Sequence, residues 1–128
     1  TDNTPNIGVV GVGHLGRYHV KHLSNTNDAL LAGIYDIDNV RVQDIAEEFN
    51  CRVFNSLNNL LDECDALAIV TPTPSHAEVA EECIKARKHV FIEKPITKTV
   101  AEADYLLQLA KNYGTFRMYH VRRSHEPE

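Results

Sequence analysis

Three glycines, a carboxylate and a lysine carry most of the chemistry this sequence offers. Gly11, Gly13 and Gly16 lie in the run Ile7-Gly-Val-Val-Gly-Val-Gly-His-Leu-Gly-Arg17, straight after a short apolar stretch rich in valine. Asp36 follows Gly16 at the ~20-residue spacing at which an acidic side chain meets a ribose in dinucleotide-binding βαβ units. Each glycine has a task in that reading. Gly11 makes the tight turn out of the strand, Gly13 lets the backbone approach a pyrophosphate, and Gly16 lets the next helix pack closely on the strand. The pyrophosphate would rest on the positive N-terminal end of that helix, beside His14 and Leu15. The triplet alone is a weak signal. The strand before it, the helix after it and Asp36 in register make it specific. Asp36 can accept both hydroxyls of an adenosine ribose, which favours NAD; NADP would place a phosphate against the carboxylate. No neighbouring arginine is expected to welcome that phosphate.

Further along, Glu93-Lys94-Pro95 ends a fifth strand. A lysine there would stand near the nicotinamide end of a dinucleotide, whose oxidised ring is positive and lowers a nearby lysine's pKa. Such a lysine can hydrogen-bond a substrate hydroxyl and assist its proton loss while hydride leaves the carbon. A solvated Lys-Pro turn is the plainer account that the residues alone allow. Thr71-Pro72-Thr73-Pro74-Ser75-His76 follows a fourth strand; its two prolines hold the loop extended, a suitable wall for a flat ring or simply a connection capped by Ser75. His76 at the first helical position is equally a site residue or an exposed one. Arg17 is equally a phosphate contact or a surface side chain. His120 ends a sixth strand at the same edge. The seven histidines show no metal-binding pattern, and no metal is expected.

These groups need a scaffold that brings them together. The pattern predicts strands over Ile7–Gly11, Ala29–Tyr35, Arg52–Phe54, Ala66–Val70, His89–Ile92 and Thr115–His120. A first helix is expected over Leu15–Leu23, and a second, capped by Asp38, through Phe49 with Val42, Ile45, Ala46 and Phe49 on one face. Ser56 caps a short helical turn. Ser75 with Glu78, and Thr99 with Glu102, form capping boxes for two more helices. The first of these ends near Ala86. The second buries Ala103, Leu106, Leu107 and Ala110 and stops at Gly114. Apolar strands alternating with amphipathic helices mean an α/β fold, a Rossmann-type doubly wound parallel sheet of order 3-2-1-4-5-6 in three α/β/α layers. All the loops named above then share the edge formed by the strands' C-terminal ends.

The chain has 128 residues, with 43% hydrophobic and 24% charged, and suits one domain with a real core. Its net charge of −5 gives no footprint for nucleic acid. No apolar run suits a membrane span, and no secretory leader is visible. Cys51, Cys64 and Cys83 are odd in number and match no zinc or redox spacing, which fits a reducing, cytoplasmic setting. Cys83 falls on a helix face with Val79 and is expected in the core.

Three stretches together resemble the Gfo/Idh/MocA oxidoreductases, the glucose–fructose oxidoreductase and inositol dehydrogenase family: Gly11-Val-Gly-His-Leu-Gly-Arg-Tyr-His19, Ala68-Ile-Val-Thr-Pro-Thr-Pro-Ser-His76 and Glu93-Lys-Pro-Ile-Thr-Lys-Thr-Val-Ala-Glu-Ala103. The resemblance runs from about Asn6 to Gly114. It implies an N-terminal nucleotide domain whose Glu-Lys-Pro lysine, Lys94, assists catalysis on sugars, cyclitols and related polyols. The implied cofactor-binding set is Gly11, Gly13, His14, Leu15, Gly16, Asp36, Thr71, Pro72, Thr73, His76, Glu93, Lys94, Pro95 and His120. The implied organisation is a polar lead over 1–5, the Rossmann domain over 6–120 and a tail over 121–128, where the family's second domain would begin. The tail departs from the family pattern: Tyr119 replaces a glycine, and the Phe-Asn pair after the arginine is missing. The second domain supplies the remaining catalytic groups, so the 128-residue chain is expected to bind cofactor weakly, self-associate through the docking face and turn nothing over alone. A non-catalytic dinucleotide-binding sensor or partner module is the competing reading, and a reductase acting on an imine or a linear tetrapyrrole is a weaker third.

Overall fold

Nearly every strand of this sequence is apolar on both faces, and only a sheet covered twice can bury it. The computed structural model describes residues 4–71, 76–93, 100–113 and 118–121. It contains β1 (Asn6–Val10), α1 (His14–Asn25), β2 (Leu30–Tyr35), α2 (Asn39–Phe49), α3 (Leu57–Asp62), β3 (Ala66–Ile69), α4 (His76–Lys85), β4 (His89–Glu93), α5 (Val100–Tyr113) and β5 (Met118–Val121). The sheet order is β2-β1-β3-β4-β5 and every pairing is parallel.

The expected third strand shrinks to a single parallel bridge between Ile34 and Val53 on the outer side of β2. Ile34 N–H donates to Arg52 O and Phe54 N–H to Ile34 O, each at 2.9 Å. The order 3-2-1-4-5-6 therefore holds with its edge member reduced to one residue. The Phe54 ring lies so close over β2 that a Cβ on Gly33 would come within 2.3 Å of it. The chain then turns at once into α3, where the Ser56 hydroxyl accepts from Asn59 N–H at 3.1 Å.

Neighbouring residues of β1 serve opposite faces of the sheet. Val9 joins Val12, Val20, Ile34, Val42 and Ile45 under α1 and α2. Val10 joins Leu60, Leu67, Ile69, Ile84 and Leu106 under α3, α4 and α5. α2 starts as its sequence predicts, with Asp38 Oδ1 accepting from Arg41 N–H at 3.0 Å. Cys83 is fully buried, as expected.

Leu107 corrects the expected core: it is 52% exposed. Leu106 and Ala110, four apart, take the buried stripe of α5, and Leu107 lies one position off it. α5 is instead tied to α4 by Tyr105 Oη, which donates to Glu81 Oε2 at 2.8 Å. The expected caps at Ser75, Thr99 and Gly114 lie outside the described residues.

Candidate functional site

Parallel strands bring their C-terminal ends to one edge, and the register shows how closely. Tyr35 pairs with Val10, Val10 with Ile69, Ile69 with Ile92, and Ile92 with His120. Continuing each strand by one residue places Asp36, Gly11, Val70 and Glu93 side by side in the next row. Asp36, Gly11 and Glu93, some 80 residues apart in sequence, are thus assembled by the sheet alone.

The turn at Gly11 needs a glycine. Its φ is +96°, a region side chains avoid, and a Cβ there would meet Thr71 N and Val70 C at 2.8 Å. Gly11 N–H donates to Tyr35 O at 2.9 Å, pinning the turn to β2. Gly16 is buried, and a Cβ on it would stand 1.9 Å from Gly11 O, so α1 can start this close to the strand only with glycine. Gly13 differs: a Cβ there would meet only Arg41 Nη1, at 3.6 Å. The space beside Gly13 is open, which is the condition for a ligand's backbone contact. Gly13 is also the N-cap of α1 and makes no side-chain cap. The first-turn N–H groups of His14, Leu15 and Gly16 lie beyond the reach of intrahelical acceptors and face this edge. A pyrophosphate fits such a cradle on charge and on space.

Asp36 is held in place. Its Oδ2 accepts from Val12 N–H at 2.8 Å and its Oδ1 from Asp38 N–H at 2.9 Å, with the side chain only 9% exposed. The carboxylate is fixed beside the glycine turn with acceptor lone pairs left for ribose hydroxyls. Ile37 and Val40 next to it are 87% and 73% exposed. They form an apolar lip at the same edge that sequence reasoning missed.

The expectation that no arginine neighbours Asp36 is corrected. Arg41 Nη1 lies 3.9 Å from Asp36 Oδ2, and Nη2 lies 3.9 Å from Asp38 Oδ2. Arg41 is five positions past Asp36, and the first turn of α2 folds it back over the loop. The signal was there in the cap: Asp38 starts the helix, so the residue three later stands on the first turn. Arg17, left open by the sequence, lies on the α1–α2 seam. It donates through Nε and Nη2 to the Glu48 carboxylate, and its guanidinium sits 5.3 Å from the Phe49 ring centroid. That hydrogen bonding raises the Arg17 pKa and lowers that of Glu48.

His14 is exposed and Leu15 half-buried at the start of α1. Thr71 follows β3, half-buried against Gly11. His76 begins α4, Glu93 ends β4, and His120 lies on β5 one row short of Glu93. Pro72, Thr73, Lys94 and Pro95 lie outside the described residues. Among the described residues no helix is long and apolar enough to cross a membrane, and no group of three or more His, Cys, Asp or Glu is placed to hold a metal ion.

Comparison with known proteins agrees with this geometry. Residues 5–121 match the Gfo/Idh/MocA model, described as an oxidoreductase family with an NAD-binding Rossmann fold. The chain is 42% identical over 119 residues to a UDP-N-acetylglucosamine 3-dehydrogenase of Acidithiobacillus ferrooxidans, covering 92% of this chain and 37% of that protein. It is 32% identical to a myo-inositol 2-dehydrogenase of Thermotoga maritima, over 82% of this chain and 32% of that one. The solved Acidithiobacillus structure superposes with a TM-score of 0.87 at 39% identity, over 93% of this chain and 38% of that one. GenD2 from gentamicin A biosynthesis, solved in complex with NAD, superposes with a TM-score of 0.86 at 27% identity, over 93% of this chain and 34% of that one. The chain spans about a third of the length of the curated relatives it matches. Fold, glycine turn, fixed carboxylate and family match agree: the chain belongs to the Gfo/Idh/MocA oxidoreductase family and forms its NAD-binding Rossmann domain.

Proposed function

We propose that this chain is the cofactor-binding part of a dehydrogenase that moves hydride between NAD and a sugar, cyclitol or related polyol. The observation that carries the reading is the single edge where the open Gly13 cradle, the start of α1 and the anchored Asp36 meet. NAD supplies the hydride acceptor or donor. The chain's own groups bind and orient it. Gly11, Gly13, His14, Leu15 and Gly16 receive the pyrophosphate, Asp36 receives the adenosine ribose, and Ile37 and Val40 offer apolar cover to the adenine. Thr71, Pro72, Thr73, His76, Glu93, Pro95 and His120 border the nicotinamide half.

Lys94, next after Glu93 at the end of β4, is the proposed general acid/base. It would take the proton from a substrate hydroxyl as hydride leaves the carbon bearing that hydroxyl, and return it in the reverse direction. Similarity to a UDP-N-acetylglucosamine 3-dehydrogenase and a myo-inositol 2-dehydrogenase supports a polyhydroxylated substrate. The three free thiols support a reducing, cytoplasmic compartment. Exposed Tyr105 and Leu107 on α5 offer apolar area for self-association.

The test has two arms. Titration of the chain with NADH, followed by nicotinamide fluorescence, should give saturable one-to-one binding. A form that turns over substrate should lose that activity when Lys94 becomes alanine. Absence of binding, or an unimpaired Lys94→Ala enzyme, would refute the respective half of the proposal.

A further inference from the structure

We propose that the outer edge of the sheet, at Val53, receives an extended peptide segment of a partner protein, one that carries a lysine or arginine. The site shares no residue with the cofactor set, so the inference stands apart from the dinucleotide reading.

The open backbone is the first argument. The segment Arg52–Phe54 pairs with β2 through Arg52 C=O and Phe54 N–H, both bonded to Ile34. A parallel bridge made by those two groups turns the N–H and C=O of Val53 the other way, out of the sheet. Among the described residues neither group has a hydrogen-bond partner. The Val53 side chain packs on the core under α1 and α2, so the backbone is what Val53 presents at the edge. One residue of an added strand can satisfy both groups, the mode in which sheet edges take up extended peptides.

The space beside the edge is the second argument. A cavity of about 300 Å³ lies between Arg52, Val53 and Phe54 on one side and Asn59, Asp62 and Glu63 on the other. Phe54 belongs to the core under α3, which puts the cavity on that face of the sheet. Alternate side chains of an added strand project to that face and enter it. Arg52 is already placed there as a wall: its guanidinium sits 4.4 Å from the Phe54 ring centroid, and its Nη1 lies 4.0 Å from Glu63 Oε1. Asp62 has no cation within ion-pair distance among the described residues. The cavity thus holds one carboxylate more than it has cations. With the side-chain carbonyl of Asn59 it can accept a cationic side chain, and it repels an acidic one. This balance chooses the occupant. A second copy of the chain would bring the same excess of negative charge to the edge, whereas a basic peptide cancels it.

The test is amide NMR of the chain titrated with the capped peptide acetyl-Val-Thr-Lys-Thr-Val-amide and with the same peptide carrying Glu in place of Lys. The Lys peptide should give saturable shifts at Val53, Asn59 and Glu63, with a Kd on the order of 1 mM. The Glu peptide should bind at least roughly 10-fold more weakly, and Asp62→Asn should narrow that difference. Val53→Pro removes an N–H that the fold does not use and should abolish the shifts. The Lys peptide N-methylated along its backbone asks the same question of the natural chain and should not bind. Equal binding of the Lys and Glu peptides, normal binding by a folded Val53→Pro chain, or normal binding of the N-methylated peptide would overturn the proposal. So would the absence of saturable shifts at several times the expected Kd. Shifts at these residues that grow with chain concentration, without peptide, would overturn it in favour of a second copy at this edge.

Discussion

Gly13 and Gly16 stand three residues apart in the same motif, yet the structure predicts opposite consequences for giving each a methyl group. At Gly13 the backbone has φ −68° and ψ −157°, which alanine adopts without strain. The new Cβ would meet only Arg41 Nη1, at an ordinary 3.6 Å. Alanine restricts the unfolded chain, a gain of about 0.4–1 kcal/mol. It is a poorer N-cap than glycine, a loss of about the same size. Gly13→Ala should therefore leave stability within about 0.5 kcal/mol of the natural chain. Its Cβ fills the space where the pyrophosphate must approach. Losing one charge-assisted contact costs about 1.5–3 kcal/mol, so NADH should bind roughly 10- to 150-fold more weakly. At Gly16 the Cβ would stand 1.9 Å from Gly11 O, a backbone atom in a turn already pinned to β2. α1 must shift by more than an ångström, with an overpacking cost of about 1–3 kcal/mol. For a chain of this size that lowers Tm by roughly 4–15 °C. Circular dichroism melts and fluorescence titration on the two variants decide the matter. A Gly13→Ala chain that binds NADH normally, or a Gly16→Ala chain that melts normally, would refute the reasoning.

Asp36→Ala should weaken NADH binding and reduce the preference over NADPH, read in the same titration; an undiminished preference would place the ribose elsewhere. Lys94→Ala, in a form that turns over substrate, should lower kcat by ~10²-fold or more with NADH affinity nearly unchanged, checked by steady-state kinetics beside the titration. Burial pushes the Cys64 and Cys83 thiols up to about 12 and raises Cys51 less far. In the unfolded chain these thiols ionise near 9.0. The folded state thus keeps protons that the unfolded state releases, and stability should fall as pH rises from about 9 towards about 12. A thiol reagent at pH 8 should label Cys51 first, with Cys64 and Cys83 reacting only on unfolding; rapid labelling of all three would contradict their burial.

Much of the scaffold was legible because it depends on local rules. Caps at Asp38 and Ser56 sit where the sequence put them, since one side-chain oxygen and one N–H three residues on suffice to make them. Gly11, Gly16 and Asp36 were legible because the turn allows few alternatives. What escaped depends on contacts between distant residues. The third strand is reduced to the Ile34–Val53 bridge, and the chain enters α3 three residues after Phe54. Leu107 is exposed because α5 has one buried stripe and Leu106 and Ala110 already fill it. Arg17 is drawn off by Glu48, 31 residues away, and Arg41 reaches Asp36 only through the fold of α2. The Arg17 pairing does not follow from spacing, whereas the place of Arg41 follows from the cap at Asp38 once the start of α2 is fixed.

The central claim is that a dinucleotide lies along the edge from α1 to Asp36. Amide NMR of the 14.4 kDa chain during titration with NADH tests it most directly. Saturable shifts should concentrate at Gly11 through Gly16 and at Asp36 through Arg41, while Arg52, Asn59 and Glu63 near the outer edge of β2 stay unmoved. Shifts centred on that outer edge, or no saturable shifts at all, would contradict the account.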